Sequence, residues 1–319
     1  MTCIWVASNR HVRLMWLVIP YDGPRREDVT MNLTDQFETN RDHLRSVAYR
    51  MLGSLSEADD AVQEAWLRFR RADAAEVENM RAWLTVIVSR VCLDMLRSRR
   101  ARREELVDAS LPEPVVTFAD VSADPEQEAL IADSVGLALQ VVLQMLTPAE
   151  RLAFVLHDMF GMPFEEIAPI VERSVPATRQ LASRARRRVR GASPDASSAT
   201  RAQQRAVIEA FLKASREGDF EALLEVLDPE VVMRIDQGRL GPFTELHGAV
   251  DVAGIVVAQG TPRARFARPA TVNGAPGVVV VFRSQVLAVS AFTISEGRIT
   301  SLNLVADPDK LKRVQAPPE

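Results

Sequence analysis

Apolar positions recur at three- and four-residue spacing in blocks over 36–103, 134–190 and 201–227, and β-branched runs replace them afterwards. Over 36–52, Phe37, Leu44, Val47, Ala48 and Met51 share one face and Gly53 closes the segment, which predicts a helix. A second helix is predicted over 56–71, opened by Ser56 and Asp59 in capping-box spacing, with Val62, Trp66 and Phe69 on one side. The other side carries Asp60, Gln63, Glu64 and the apolar Leu67, and taken alone it reads as a solvated acidic face with one stray leucine. A third helix, 79–103, is apolar around most of its girth through Trp83, Leu84, Ile87, Val88, Val91 and Met95, so it is expected at the centre of a bundle. Arg90, Asp94 and Arg97 form its one narrow polar strip.

The helical period then lapses. Residues 104–133 carry Pro112, Pro114 and Pro125 and read as a linker. Periodicity returns over 134–145, and Thr147 with Glu150 marks a capped helix start. The segment 164–190 reads as helix, tight turn and helix: Ile167, Ile170 and Val171 give the first its apolar face, Ser174 suits the N-cap of the second, and Pro176 falls in its first turn. In that second helix Thr178, Leu181, Ala185 and Val189 fall on one side, while Gln180, Ser183, Arg184 and Arg187 fall opposite.

Residues 192–200 are a second linker, rich in Ser, Ala and Pro. Beyond it, 201–216 and 220–227 are amphipathic helices, followed by the runs VVMRI, VVVVFR, LAVSAFTI and ITSLNLV, punctuated by NG, EG and Pro. These read as the strands of an α+β fold.

Charge sharpens this division. The 319 residues carry a net charge of only −4, yet 80–103 holds seven arginines against one aspartate, and 104–133 holds nine acids and no base. Between Ser174 and Arg190 there are six arginines and no acid. Guanidinium forks on one side of a helix-turn-helix suit phosphates and guanine edges, so duplex DNA is the expected partner. Basic residues at the end of the third helix complement its dipole, but five arginines among its last seven residues exceed that need and favour phosphate contact.

Cys3 and Cys92 fit a reducing compartment and no disulfide framework, and four scattered histidines predict no zinc site. No metal or cofactor is expected. The apolar stretch 14–19 is too short to span a bilayer, and Met31 begins a more ordinary start, so residues 1–35 are expected to be an extension that is disordered or comes from a mis-assigned start.

The segments DDAVQEAWLR, WLTVIVSRVCLDMLRSRR and LTPAERLAFVLHDMFGMPFEEIA leading to RQLASRARRRVR resemble the bacterial sigma-70 family, most closely its extracytoplasmic-function (ECF) group. The resemblance covers about 37–190 and implies a cytoplasmic protein. It implies two all-α units: region 2 at 36–103, a helical bundle for core polymerase and the minus-ten element, and region 4 at 134–191, a helix-turn-helix for the minus-thirty-five element. It also overturns the bland reading of the acidic face, because Asp60, Gln63, Glu64 and Leu67 would meet the clamp of core RNA polymerase. Arg90, Asp94 and Arg97, with Arg99 and Arg100 behind them, would lie beside the minus-ten strand. Gln180, Ser183, Arg184 and Arg187 would approach the minus-thirty-five major groove, with Arg179, Arg186 and Arg190 on phosphates. Two departures stand out: many members have Asn in place of Arg90, and members often have Gly in place of Glu172.

The tail, 201–314, resembles the SnoaL-like (NTF2-like) cone domain fused to one subgroup of these factors. Leu111-Pro112-Glu113-Pro114 and Asp307-Pro308-Asp309-Lys310-Leu311 match short signatures of that subgroup. The resemblance implies a regulatory contact through Pro112, Glu113, Pro114, Asp307, Pro308, Asp309 and Lys310, with the tail governing the sigma factor in cis. An unidentified small ligand of the tail stays open. The alternative is a helix-turn-helix regulator fused to a ligand-binding or catalytic cone, in which His247 and Asp236 would be the proton-transfer pair.

Overall fold

A computed structural model of the protein describes residues 26–72, 77, 79–103, 110–118, 136–192 and 200–316, with 26–33, 102–103 and 191–192 as backbone alone. The expectations for 1–25, for most of the acidic stretch and for 193–199 lie outside the described residues.

Helix α1, Arg26–Leu52, begins ten residues before its predicted start, and Gly53 ends it in the left-handed conformation at φ +76°. Helix α2, Leu55–Phe69, is capped by Ser54 rather than Ser56: Ser54 is extended, and its hydroxyl accepts the Glu57 amide at 3.3 Å. Helix α3, Met80–Arg103, is the expected centre, packing on both others. Phe37, Phe69, Leu44 and Leu84 are fully buried between the three, each contributing roughly 1.5–3 kcal/mol of transfer free energy.

A second set of helices follows: α4 (Leu137–Gln144), α5 (Pro148–Phe154, continued by a wide turn Val155–Met159), α6 (Phe164–Val171) and α7 (Val175–Ala192). Thr147 and Glu150 make the expected reciprocal capping box. These helices do not form a separate core. Leu143, Leu152, Phe154, Ile167 and Ala185 belong to the same buried cluster as Phe37 and Leu84. The last four carbonyls of α1 show why the two units seat together: Gln140 bonds the Tyr49 and Arg50 carbonyls, Arg151 the Met51 carbonyl at 2.7 Å, and Arg99 the Leu52 carbonyl. A helix end that would otherwise need water is satisfied by side chains from α3, α4 and α5.

The tail begins with α8 (Arg201–Glu217) and α9 (Phe220–Val226), matching the predicted pair closely. Its strands are β2 (Leu227–Asp236), β3 (Thr244–His247), β4 (Ala267–Val272), β5 (Ala275–Phe282), β6 (Gln285–Ser295) and β7 (Arg298–Val305), with α10 (Ala249–Ile255) and α11 (Thr261–Ala264) between β3 and β4. A short strand from earlier in the chain, β1 (Val116–Thr117), completes the sheet, which runs β1-β4-β5-β6-β7-β2-β3 and is antiparallel except where β2 pairs β7. One face packs Val278, Val280, Phe292 and Leu302 against α8, α9 and α10. This is the expected cone.

That added strand corrects the linker reading. Val116 and Thr117 of β1, inside the stretch read as a linker, pair with Val272 and Thr271 of β4. Leu111 and Val115 are buried, and Leu111 joins Leu137 of α4 and Leu311 of the short C-terminal helix α12 (Pro308–Leu311) against the second sheet face. Two apolar residues with prolines at 112 and 114 hold an extended strap in place. The periodicity rule missed it because a strap has no period of its own.

Candidate nucleic-acid interface and its intramolecular clasp

Helix α7 turns Thr178, Ala182 and Ala185 inward, fully buried, so the side bearing Gln180, Ser183, Arg184, Arg187 and Arg190 faces solvent. The Ser174 hydroxyl caps it as expected, accepting the Ala177 amide at 3.4 Å. Its arginines divide into two groups. Arg184 and Arg188 both reach the buried Glu150 carboxylate, at 3.4 and 2.6 Å, while Arg186 pairs with Asp158 at 2.7 Å and Arg179 with Glu165 at 3.3 Å. Among the described residues no acid pairs with Arg187 or Arg190. Burial alone would raise the pKa of Glu150, but hydrogen bonds from Thr147 and the charges of Arg188 and Arg184 hold it below the ordinary value. Glu150 and Asp158 thus fix the register of α7 against α5, a role the sequence reading did not give them. The capping spacing marked Glu150 only as a helix start.

Between α6 and α7 Glu172 stands at φ +57°, the left-handed region where glycine is favoured. The turn geometry is that of a helix-turn-helix, and this chain adopts it with a non-glycine residue.

On α2, Asp60 and Gln63 are exposed, Leu67 keeps 39% of its surface accessible, and Glu64 bonds Arg68 at 2.9 Å. Arg68 also lies 3.5 Å from Asp94, linking this face to the α3 strip. Arg90, Arg97 and Arg100 are exposed, with Arg97 4.0 Å from Glu172. Arg99 differs from its basic neighbours: it turns inward and pairs with Glu57.

The strap joins these surfaces to the tail. The Glu113 carboxylate accepts the Leu55 amide at 2.8 Å and the Ser54 hydroxyl at 2.7 Å, an acid at the N-terminus of α2, where the helix dipole favours it. The Glu113 amide donates to the Gly53 carbonyl, and its carbonyl accepts the Tyr49 hydroxyl at 2.6 Å. From the other side, Asn273 in the β4–β5 turn pairs with Val115 through both backbone and side chain, and its Nδ2 donates to the same Tyr49 hydroxyl. Lys310 closes the strap's start. Its ammonium donates to Asp236 at 2.5 Å and also to the Ser110 hydroxyl and the Leu111 carbonyl, while Asp236 accepts the Leu111 amide at 2.8 Å. Burial works against the Asp236 charge, but Lys310 and two backbone amides keep its pKa below the ordinary value. Asp307 caps α12 and its carboxyl sits against Gly238, where a side chain would collide. Arg313 then reaches Asp59 on α2 at 2.7 Å, next to Asp60. Pro112 and Pro114 are buried, while Pro308 and Asp309 occupy the first turn of α12.

The proton-transfer pair of the alternative reading does not form. Asp236 is committed to Lys310, whereas His247 is exposed, bonds Glu245 at 3.0 Å and pairs in the sheet with Val232, four residues from Asp236. Among the described residues no cluster of His, Cys, Asp or Glu is arranged to hold a metal, and no helix is long and apolar enough to cross a membrane.

The chain matches the family models for Sigma-70 region 2 at residues 36–102 and Sigma-70, region 4 at residues 136–189. It is 35% identical over 294 residues to the probable ECF RNA polymerase sigma factor SigI of Mycobacterium tuberculosis, covering 88% of this chain and 95% of the relative. It is 37% identical to the ECF sigma factor SigJ of the same species, over 86% of this chain and 92% of SigJ. The crystal structure of M. tuberculosis SigJ superposes with a TM-score of 0.68 at 34% identity, covering 87% of this chain and 97% of that one.

Proposed function

The chain belongs to the sigma-70 family as an ECF sigma factor, and on that premise we propose that it is a promoter-recognition subunit held closed by its own tail. It binds core RNA polymerase and promoter DNA in the cytoplasm. Asp60, Gln63, Glu64 and Leu67 meet the clamp. Arg90, Asp94, Arg97 and Arg100 follow the minus-ten strand. Gln180, Ser183, Arg187 and Arg190 approach the minus-thirty-five element, with Arg184, Arg179 and Arg186 released to DNA to the extent that phosphates outcompete their acidic partners.

The shared core supports the closed reading. Two promoter elements two or more DNA turns apart lie roughly 70 Å or farther from each other, while α3 packs directly on α5 and α6. Both cannot be read until the second unit leaves the first. The strap and tail oppose that separation at the high effective concentration of an intramolecular partner.

The single observation that carries this reading is the Tyr49 hydroxyl, bonded to the strap and the tail at once. The test is run-off transcription with purified core polymerase on promoters selected from a random library, comparing the full chain, a chain ending at Gly191 and a chain lacking 307–319. Specific initiation by the full chain or either shortened form is expected, with a difference between them placing control in the tail. Equal transcription by all three at equal protein level sinks the regulatory contact, and failure of all three to initiate sinks the promoter reading.

A further inference from the structure

One end of the tail carries a surface that neither the promoter contacts nor the clasp uses. From 252 to 295 the chain contains four arginines and no aspartate or glutamate. The fold gathers those arginines around the start of β4 and the tip of the β5–β6 hairpin. The rings of Phe266 and Phe282 meet edge to face with centroids 4.8 Å apart, and the Phe266 carbonyl accepts the Val281 amide at 3.1 Å. Arg265 stacks over Phe266 at 4.6 Å and Arg283 over Phe282 at 5.2 Å. Arg263 lies one residue before Ala264 in the adjoining α11, and Arg268 stands in β4 opposite Val279. All four arginines are exposed, and among the described residues none is in an ion pair. Arg216 of α8 adds a fifth positive charge, bonding the carbonyls of Ala264 and Ala267.

Two details mark the patch as more than surface decoration. Phe282 leaves 38% of its surface in water, unusual for a phenylalanine in a sheet whose neighbours Val279 and Val280 are buried. The turn that follows places Arg283 and Ser284 at φ +49° and +59°, a two-residue hairpin conformation usually given to Asn and Gly. The backbone accepts strain at the point where it presents an arginine.

We propose that Arg263, Arg265, Arg268 and Arg283, with Phe266 and Phe282, form a second DNA contact on the tail, directed at the phosphodiester backbone. A guanidinium held over a ring by cation–π attraction still has N–H donors free for a phosphate, and an exposed ring beside it can accept an unstacked base. Its position agrees. Strand β4 runs from the patch to Val272, next to the Asn273 that bonds Tyr49 of α1, so six strand residues, about 20 Å, separate the patch from the first helical unit. That is some six base pairs of duplex.

The test uses the full chain without polymerase and a fluorescein-labelled 40-base-pair duplex of non-promoter sequence. Four phosphate contacts steepen the dependence of log affinity on log salt by about 3–4. Replacing the four arginines by serine is expected to remove that increment and to weaken binding at least tenfold at low salt, on the order that four phosphate contacts supply. An unchanged slope in a variant with an unchanged circular dichroism spectrum overturns the proposal. Should the fourfold variant fail to fold, photo-crosslinking decides: a benzoylphenylalanine replacing Phe282 is expected to capture the DNA, and one replacing the exposed Val250 is not. Absence of DNA capture from position 282, or capture of the chain's own acidic stretch in its place, overturns it equally.

Discussion

Asn273 donates its side-chain amide to the Tyr49 hydroxyl at 2.8 Å, a buried hydrogen bond spanning 224 positions of chain. The same hydroxyl donates to the Glu113 carbonyl, so one oxygen links α1, the strap and the tail. Burial pushes its pKa well up, which keeps it a donor at any physiological pH.

Tyr49→Phe removes that oxygen and little else. It leaves the Glu113 carbonyl and the Asn273 amide short of a partner, at a cost of about 1–3 kcal/mol. Denaturant unfolding is expected to show a lower midpoint, and hydrogen exchange over 110–117 is expected to quicken. Unchanged exchange there would mean that the strap is held without the hydroxyl.

The Lys310–Asp236 pair sets a pH dependence. Because the carboxyl's pKa is lowered in the folded protein, its stabilisation is complete above the unfolded aspartate value of about 4 and is lost as pH falls through the folded value. The melting temperatures of wild type and Asp236→Asn are therefore expected to differ most at pH 5–7 and to begin converging only as pH falls below about 4, meeting once it passes the lowered folded value. Lys310→Met is the harsher change, leaving a buried carboxylate unpaired at a cost of about 3–5 kcal/mol. A constant gap across the whole pH range would show that Asp236 is not the titrating group.

Neighbouring arginines on α7 are expected to separate stability from DNA binding. Arg187 is exposed, whereas Arg188 bonds the buried Glu150. Arg187→Ala is expected to leave the melting temperature within a degree or two and to weaken minus-thirty-five binding tenfold or more, about 1–3 kcal/mol if it reaches a base. Glu150→Gln is expected to lower stability, by about 1–3 kcal/mol for the charged hydrogen bonds it weakens. Band-shift titration and thermal melts on both variants read the two effects independently, and equal losses of affinity without loss of stability would refute the division.

Glu172→Gly tests the turn. A left-handed non-glycine residue costs about 1–2 kcal/mol, partly offset by the greater chain entropy glycine adds to the unfolded state. A net gain of roughly 0.5–1 kcal/mol in denaturant unfolding is expected, because the ion pair with Arg97 that the change removes is exposed and 4.0 Å long. A loss of stability would mean that Arg97 and Glu172 hold α3 to α6 more firmly than their separation implies.

Much of the fold was legible in local pattern. The three-four spacing of Phe37, Leu44 and Met51, the Thr147–Glu150 box and the two-sided α7 each depend on residues a turn or two apart, and the structure agrees with them. The helical family resemblance followed from the same segments. Three short strands escaped, β1, β3 and β4: the first has two residues, and all lie beside turns or prolines that break alternation.

The sequence by itself therefore determined the long helices and the four β-branched strands of the tail, which side of α7 is arginine-rich and which segment turns at Asn273-Gly274. Those outcomes follow from steric preference and periodicity over a few neighbouring residues. Only the tertiary structure decided that Asn273, placed by its turn, also clasps Tyr49; that Lys310 closes on Asp236 and the strap; and that Arg184, Arg186 and Arg188 carry internal acids while, among the described residues, Arg187 carries none. Partners a hundred or two hundred positions apart are chosen by how buried surfaces fit and by the need to pair every buried polar group, and no local pattern encodes that choice.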